Sequence, residues 1–162
     1  LNINWQGLAV QSLWPDDASL YNDNNGSCVI RIADQYHSVL LPGDIDKSIE
    51  NKLVQSVPHL LNADILLAPH HGSNTSSSRY LIDAVSADFV VFSQGFMNRW
   101  QFPRAKVIDR YLAHNKKTQL FTTSDLGQVS FLMHYNSPLT IQVHTFRQQT
   151  HPYWYANFRS AL

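Results

Sequence analysis

Two short apolar runs, each closed by a turn that carries ionisable side chains, constrain this 162-residue chain more than any other feature. Residues 37–41 (His-Ser-Val-Leu-Leu) lead into Pro42-Gly43-Asp44, and residues 63–68 (Ala-Asp-Ile-Leu-Leu-Ala) lead into Pro69-His70-His71-Gly72-Ser73. Apolar runs of this length bounded by Pro and Gly read as strands buried in an α/β sheet. Gly43 and Gly72 let the backbone turn sharply. Asp44 and the histidine pair are therefore expected to project from one edge of the sheet, where open α/β folds place their ligands.

Two imidazoles and a carboxylate at strand ends suit a metal site: imidazole binds Zn, Mn or Fe, and a carboxylate can bridge two such ions. Taken singly, Gly-Asp after a strand is also an ordinary turn and a histidine also an ordinary polar residue. The combination in this order is the more specific pattern.

Along the chain the pattern alternates. Strands are expected at 7–14, 28–33, 37–41, 65–68, 89–92, 119–122, 128–134 and 140–146. A helix over 46–61 takes Asp46 as its cap candidate and places Ile49, Leu53, Val57, Leu60 and Leu61 on one face. Further helices are expected over 76–85, capped at Ser76, and over 103–113 with Pro103 at its start. Strand-helix-strand alternation implies an α/β fold, one half of a sandwich, and no repeat or linker divides residues 1–162.

Four strings occur in a recognisable order. They are 22–32 (Asn-Asp-Asn-Asn-Gly-Ser-Cys-Val-Ile-Arg-Ile), 41–45 (Leu-Pro-Gly-Asp-Ile), 68–73 (Ala-Pro-His-His-Gly-Ser) and 92–100 (Phe-Ser-Gln-Gly-Phe-Met-Asn-Arg-Trp). Together they resemble the C-terminal metallo-β-lactamase-type domain of ComEC competence proteins, inner-membrane channels for DNA uptake, over residues 5–135. The early His-x-Asp-x-Asp-His signature of that fold does not occur, so the chain resembles only the second half of an αββα sandwich, a mixed sheet with flanking helices. The resemblance implies two divalent ions, Zn or Mn, in the intact domain, and leaves open that this stretch alone binds none. It makes Asp44 the metal-bridging, catalytic carboxylate and one of His70 or His71 a ligand, with His71 also a catalytic candidate; counting does not decide between the two. Asn24 becomes a candidate for a polar, substrate-facing role. Phe102-Pro103 departs from the expected His-Pro.

Net charge is zero, which argues against strong nonspecific nucleic-acid affinity from bulk charge. The distribution is uneven: residues 79–117 hold seven basic and three acidic side chains, whereas residues 1–64 hold three basic and eight acidic ones. A basic lobe beside a metal edge would guide a phosphate backbone, with Arg99 and Arg104 on phosphates, Trp100 offering a face to a base and Asn98 a further substrate-binding candidate. Solvated helix faces are the plain alternative, favoured at Lys116-Lys117. Ser73 and the hydroxyls after it either hold a phosphate or cap a helix. The single cysteine, Cys28, excludes an internal disulfide and is expected to be a small buried residue rather than a nucleophile. The aromatic tail, 150–162, is expected to pack over an edge, or against another part of the parent protein, rather than to stack bases.

No apolar run approaches the roughly 20 residues of a membrane span and no signal peptide opens the chain, so this stretch is expected to be soluble. The resemblance places its parent in the bacterial inner membrane with this domain outside the cytoplasm. The expected function is part of a metal-dependent phosphodiesterase or nuclease acting on DNA, with single-stranded DNA and the rest of the channel protein as partners and no organic cofactor. A noncatalytic DNA-binding or gating module is the alternative. Hydrolysis of small phosphodiesters or lactams is a third, because metal ligands do not name substrates.

Overall fold

A computed structural model of the chain describes residues 2–17, 21 and 23–150. Residues 151–162 of the aromatic tail and Asn22 lie outside the described residues. Seven strands form one mixed sheet in sequence order: β1 (Asn2–Trp5), β2 (Leu8–Trp14), β3 (Val29–Ala33), β4 (Ser38–Leu41), β5 (Ile65–Leu67), β6 (Phe89–Phe92) and β7 (Gln119–Thr122). Pairing is antiparallel from β1 to β4 and parallel from β4 to β7. The three parallel crossovers carry helices α1 (Lys47–Ser56), α2 (Arg79–Val85) and α3 (Ala105–His114). Because the strand order advances in one direction, right-handed crossovers put all three helices on one face. There α1 packs on α2 and α2 on α3. The expected α/β half-sandwich, a mixed sheet with flanking helices, is what forms.

The core lies between that helical layer and the sheet. Leu40, Leu66, Val90 and Phe92 point into it from successive strands, and Ile49, Leu53, Leu81, Val85, Val107 and Tyr111 meet them from the helices. Alternation sends Phe89 and Phe121 to the opposite face. On that face Phe131 packs edge-on against both, at ring-centroid distances of 5.6 and 5.9 Å. Phe131 belongs to β8 (Val129–Leu132), which pairs with β9 (Gln142–Thr145) as a separate antiparallel ribbon rather than extending the main sheet. A short helix, α4 (Thr123–Leu126), precedes the ribbon, and α5 (Phe146–Thr150) follows it.

Several boundaries differ from the sequence expectation, each for a local reason. The helix expected over 46–61 ends at Ser56, because Pro58 drives Val57 out of helical geometry (φ −136°, ψ 44°) and leaves one 3₁₀ turn, Pro58–Leu60. Asp46 is the cap as expected, its carboxylate accepting from the Ser48 amide. Helix α2 starts at Arg79 and is capped by Ser78. Ser76, the expected cap, donates its hydroxyl to the carbonyls of Pro69 and Ser73 instead. Helix α3 begins two residues after Pro103. The edge strand β1, exposed at every residue, has no counterpart in the sequence expectation. Cys28 is exposed, not buried: it lies one position before β3, whose first inward residue is Val29.

Candidate functional site

The carboxyl ends of β4, β5 and β6 share one edge because the three strands are parallel. Strand β3 runs against β4, with Ile30 opposite Leu41, so the turn before β3 reaches the same edge. That turn is a 3₁₀ helix, Asn24–Gly26, capped by the Asp23 carboxylate. Asn25 locks it to the start of α1, donating to the Asp46 carboxylate and accepting from the Asp46 amide.

Gly43 turns the chain after β4 with φ +62°. A Cβ there would stand 2.7 Å from the Cβ of Ser27, so the glycine serves both the conformation and the close approach. The Asp44 amide donates to the Ser27 hydroxyl, and the Gly43 carbonyl accepts from the His70 amide at 3.0 Å. The two motifs are thus joined backbone to backbone.

After β5 the chain adopts three consecutive left-handed residues: His70 (φ 47°), His71 (φ 55°) and Gly72 (φ 84°). Glycine accepts this region freely, whereas a side chain there costs roughly 1–2 kcal/mol. Gly72 is further held by closeness: a Cβ would meet Pro103 Cβ at 2.7 Å and Phe92 Cδ1 at 2.8 Å. Two adjacent non-glycine residues in this region persist only where surrounding structure over-determines them.

The result is a cavity of about 250 Å³ lined by Asp44, His70, His71, Trp100 and Phe102. His71 Nε2 lies 3.4 Å from Asp44 Oδ1, both side chains about two-fifths exposed. His70 turns elsewhere: its Nε2 is 3.4 Å from Asn24 Nδ2 and its Nδ1 is 3.4 Å from Thr75 Oγ1. Asp44, His70, His71 and Asn24 are therefore brought together as expected, with His71 the imidazole beside the carboxylate. Among the described residues, no group of three His, Cys, Asp or Glu side chains is arranged to hold one metal ion.

The cavity wall is the 93–104 loop. Arg99 stacks its guanidinium over Trp100 at 4.3 Å, Trp100 lies nearly parallel to Phe102 (13°, centroids 6.3 Å apart), and Phe102 meets His70 edge-on at 5.9 Å. Arg104 sits 5.8 Å over the Phe102 ring and reaches the Gln101 side-chain carbonyl. Arg99, Trp100 and Arg104 thus reach the site edge as a cation–aromatic ladder. Arg99 and Arg104 sit on those rings without lining the cavity themselves, and Asn98 and Ser73 do not line it either. Asn98 spends its amide on its own loop, accepting from the Phe102 amide and donating to the Phe102 carbonyl. Ser73 is buried and bonded to Thr75.

Sequence reasoning misses the support behind the histidines. Glu50 is fully buried in α1, and its carboxylate accepts from the amides of Ser77 and Ser78 at 2.6 and 2.7 Å. Burial pushes its carboxyl above the ordinary value, more than those donors and nearby Lys47 pull it down. A signal is present: Asp46, Glu50, Leu53 and Val57 repeat at helical spacing, so an acid stands within the inward stripe. Arg110 belongs to the basic lobe by sequence, but its guanidinium donates to the carbonyls of Ser76 and Ser77. Arg79 is spent on Asp83, one turn away.

Comparison with known proteins adds the family. No protein-family profile matches the chain. It is 36% identical over 151 residues to the uncharacterised protein YcaI of Escherichia coli, covering 93% of this chain and 19% of that protein. It is 38% identical over 126 residues to Recombination protein 2 of Haemophilus influenzae (78% and 15% covered) and 35% identical over 127 residues to competence protein ComA of Neisseria gonorrhoeae (78% and 18%). The chain belongs to the ComEC family of competence proteins. It spans less than a fifth of the length of each of these relatives. Among the described residues no helix is long and apolar enough to cross a membrane.

Proposed function

We propose that this chain is the part of a ComEC-type protein that meets DNA during natural transformation, and that its sheet edge contributes to a metal-dependent phosphodiesterase centre. The observation that carries the reading is the strained His70-His71 turn, held against Asp44 in a cavity walled by Trp100 and Phe102, whose rings carry the guanidinium groups of Arg99 and Arg104. The named competence relatives support the biological setting.

Asp44 and His71 would be this chain's donors to Zn or Mn, with His70 beside them; the remaining ligands would come from residues outside the chain. Divalent ions in such a centre polarise a phosphodiester and supply hydroxide from water. What the chain's own residues do is narrower. The Gly43–His70 backbone bond fixes the carboxylate relative to the imidazoles. Asn24 and Thr75 hold the His70 ring. The guanidinium of Arg104 and the half-exposed ring of Trp100 would offer a phosphate and an unstacked base complementary surfaces, which favours a single strand over a duplex.

Replacing both Arg99 and Arg104 by Ala in the longer protein tests the DNA contact. Single-stranded DNA affinity should fall, and the log–log salt slope should flatten by roughly 0.7 for each phosphate no longer neutralised. Unchanged affinity and slope would assign both arginines to packing on the aromatic rings. The second reading, a noncatalytic DNA-binding or gating module, draws on the same ladder: stacking and charge suffice to hold a strand. It is favoured if Asp44→Ala leaves the longer protein's function in transformation intact.

A further inference from the structure

We propose that Glu50 and Arg110 together act as a positioning clamp that sets the left-handed turn at His70 and His71, although neither touches the cavity. The inference rests on the reading that the histidine pair is the working part of this edge. Glu50 takes the N–H side of the segment after the histidines, through Ser77 and Ser78, while Arg110 takes the C=O side, through Ser76 and Ser77 at 2.8 and 2.6 Å. A carboxylate and a guanidinium thus grip one peptide stretch from its two polar faces, each charge satisfied by backbone rather than by the other.

The grip is transmitted forward through specific bonds. Ser76, fixed between the two charges, donates its hydroxyl to the carbonyl of Pro69 at 2.7 Å, and the Pro69 peptide leads directly into His70. Ser73, which closes the turn, donates its amide to the His70 carbonyl at 2.9 Å, and Ser76 donates back to the Ser73 carbonyl. Lys47 adds two bonds from α1, its amide donating to the Thr75 carbonyl and its ammonium to the Asn74 carbonyl. Tyr111 reaches the Ser77 hydroxyl from α3 at 3.1 Å. Ser77 itself is left-handed at φ 54°, so the stretch holds a second strained residue that only external bonds explain.

An apolar side chain at position 50 would fill the same space between α1 and α2 without the desolvation that a buried carboxylate suffers. Capping α2 does not account for Glu50 either, because Ser78 already satisfies the Leu81 amide. The two acceptors of Glu50 and the planar fork of Arg110 are suited to fixing the orientation of a peptide plane.

The test is heteronuclear NMR on the whole chain, without metal or DNA, comparing wild type with Glu50→Gln and Arg110→Lys. The amide side chain keeps the shape of Glu50 but offers one acceptor in place of two; Lys keeps the charge of Arg110 but loses the fork. Both variants are expected to preserve the amide shifts of β5 and β6 while moving the Cα and Cβ shifts of His70 and His71 away from left-handed values. Unmoved histidine shifts, with Ser77 and Ser78 amides displaced, would overturn the proposal. Loss of the whole fold in both variants would also overturn it, by making the pair a general core element. Because the readout needs neither metal nor nucleic acid, it separates this clamp from the proposed DNA chemistry. That chemistry is tested by Asp44→Ala in the longer protein, so failure of the clamp and failure of the chemistry are read out separately.

Discussion

At the residue scale, the site is built from conformations that ordinary side chains avoid, and this makes the roles separable by substitution. His71 is partly exposed yet left-handed. Changing it to Gly removes a steric cost of roughly 1–2 kcal/mol and adds roughly 0.5–1 kcal/mol of backbone entropy. Thermal melts of His71→Gly should therefore match or slightly exceed wild type; a loss of several degrees would mean the ring is a packing element. Gly72→Ala should go the other way, because the added Cβ meets Phe92 and Pro103 below 3 Å in a left-handed residue. Asp46 gives a pH-dependent check. Burial alone would raise its carboxyl, but bonds from Ser48, Asn25 and Ile49 outweigh that and hold it below its ordinary value of 3.8. A lowered folded pKa gives stability that is present above the unfolded value and lost as pH falls through the folded one. Asp46→Ala should cost about 1 kcal/mol near neutrality, with the gap to wild type closing as the solution is taken below about pH 3.8.

At the element scale, helix α1 does more than cover the sheet. Its outer stripe is solvated, its inner stripe packs Ile49 and Leu53, and its one buried acid holds the loop from the neighbouring crossover. Glu50 is the opposite case to Asp46: its folded pKa lies above the ordinary 4.5, so its contribution is complete below that value and lost as pH rises through the raised one. The charges facing it are Lys47 on its own helix and Arg110 and the Tyr111 phenol on α3. Wild type should gain stability relative to Glu50→Gln as pH is lowered from 7 to 4.5, with a flat difference below. A difference constant across that range would mean the carboxyl titrates normally. The elements themselves are largely legible from sequence, since buried strands announce themselves as apolar runs ending in Pro or Gly. Helix ends are less so: which of Ser76 and Ser78 caps α2 depends on Glu50 capturing the segment, a contact 27 residues away that no local pattern encodes. The site is legible in its carboxylate and imidazoles because each follows a strand. Phe102 as the wall beside His70 is not, because only the fold brings the 93–104 loop back over the Gly72 turn.

At the scale of the whole molecule, the chain presents a helical layer on one side of its sheet and the Asp44–His71 pair at one edge. With Asp44 and His71 paired and His70 turned to Asn24, the chain alone should bind Zn or Mn weakly and should not cleave DNA. Calorimetric titration of the metal and gel analysis of labelled single-stranded DNA check this together; metal-dependent cleavage by the isolated chain, abolished by Asp44→Ala, would show that the donors here suffice. The measurement closest to the central claim is single-stranded DNA hydrolysis by the longer protein, purified with and without Asp44→Ala and supplied with Mn²⁺. Metal-dependent cleavage is expected from the wild-type protein and none from the variant at equal folding and equal DNA affinity. Cleavage at the wild-type rate in the variant would contradict that claim.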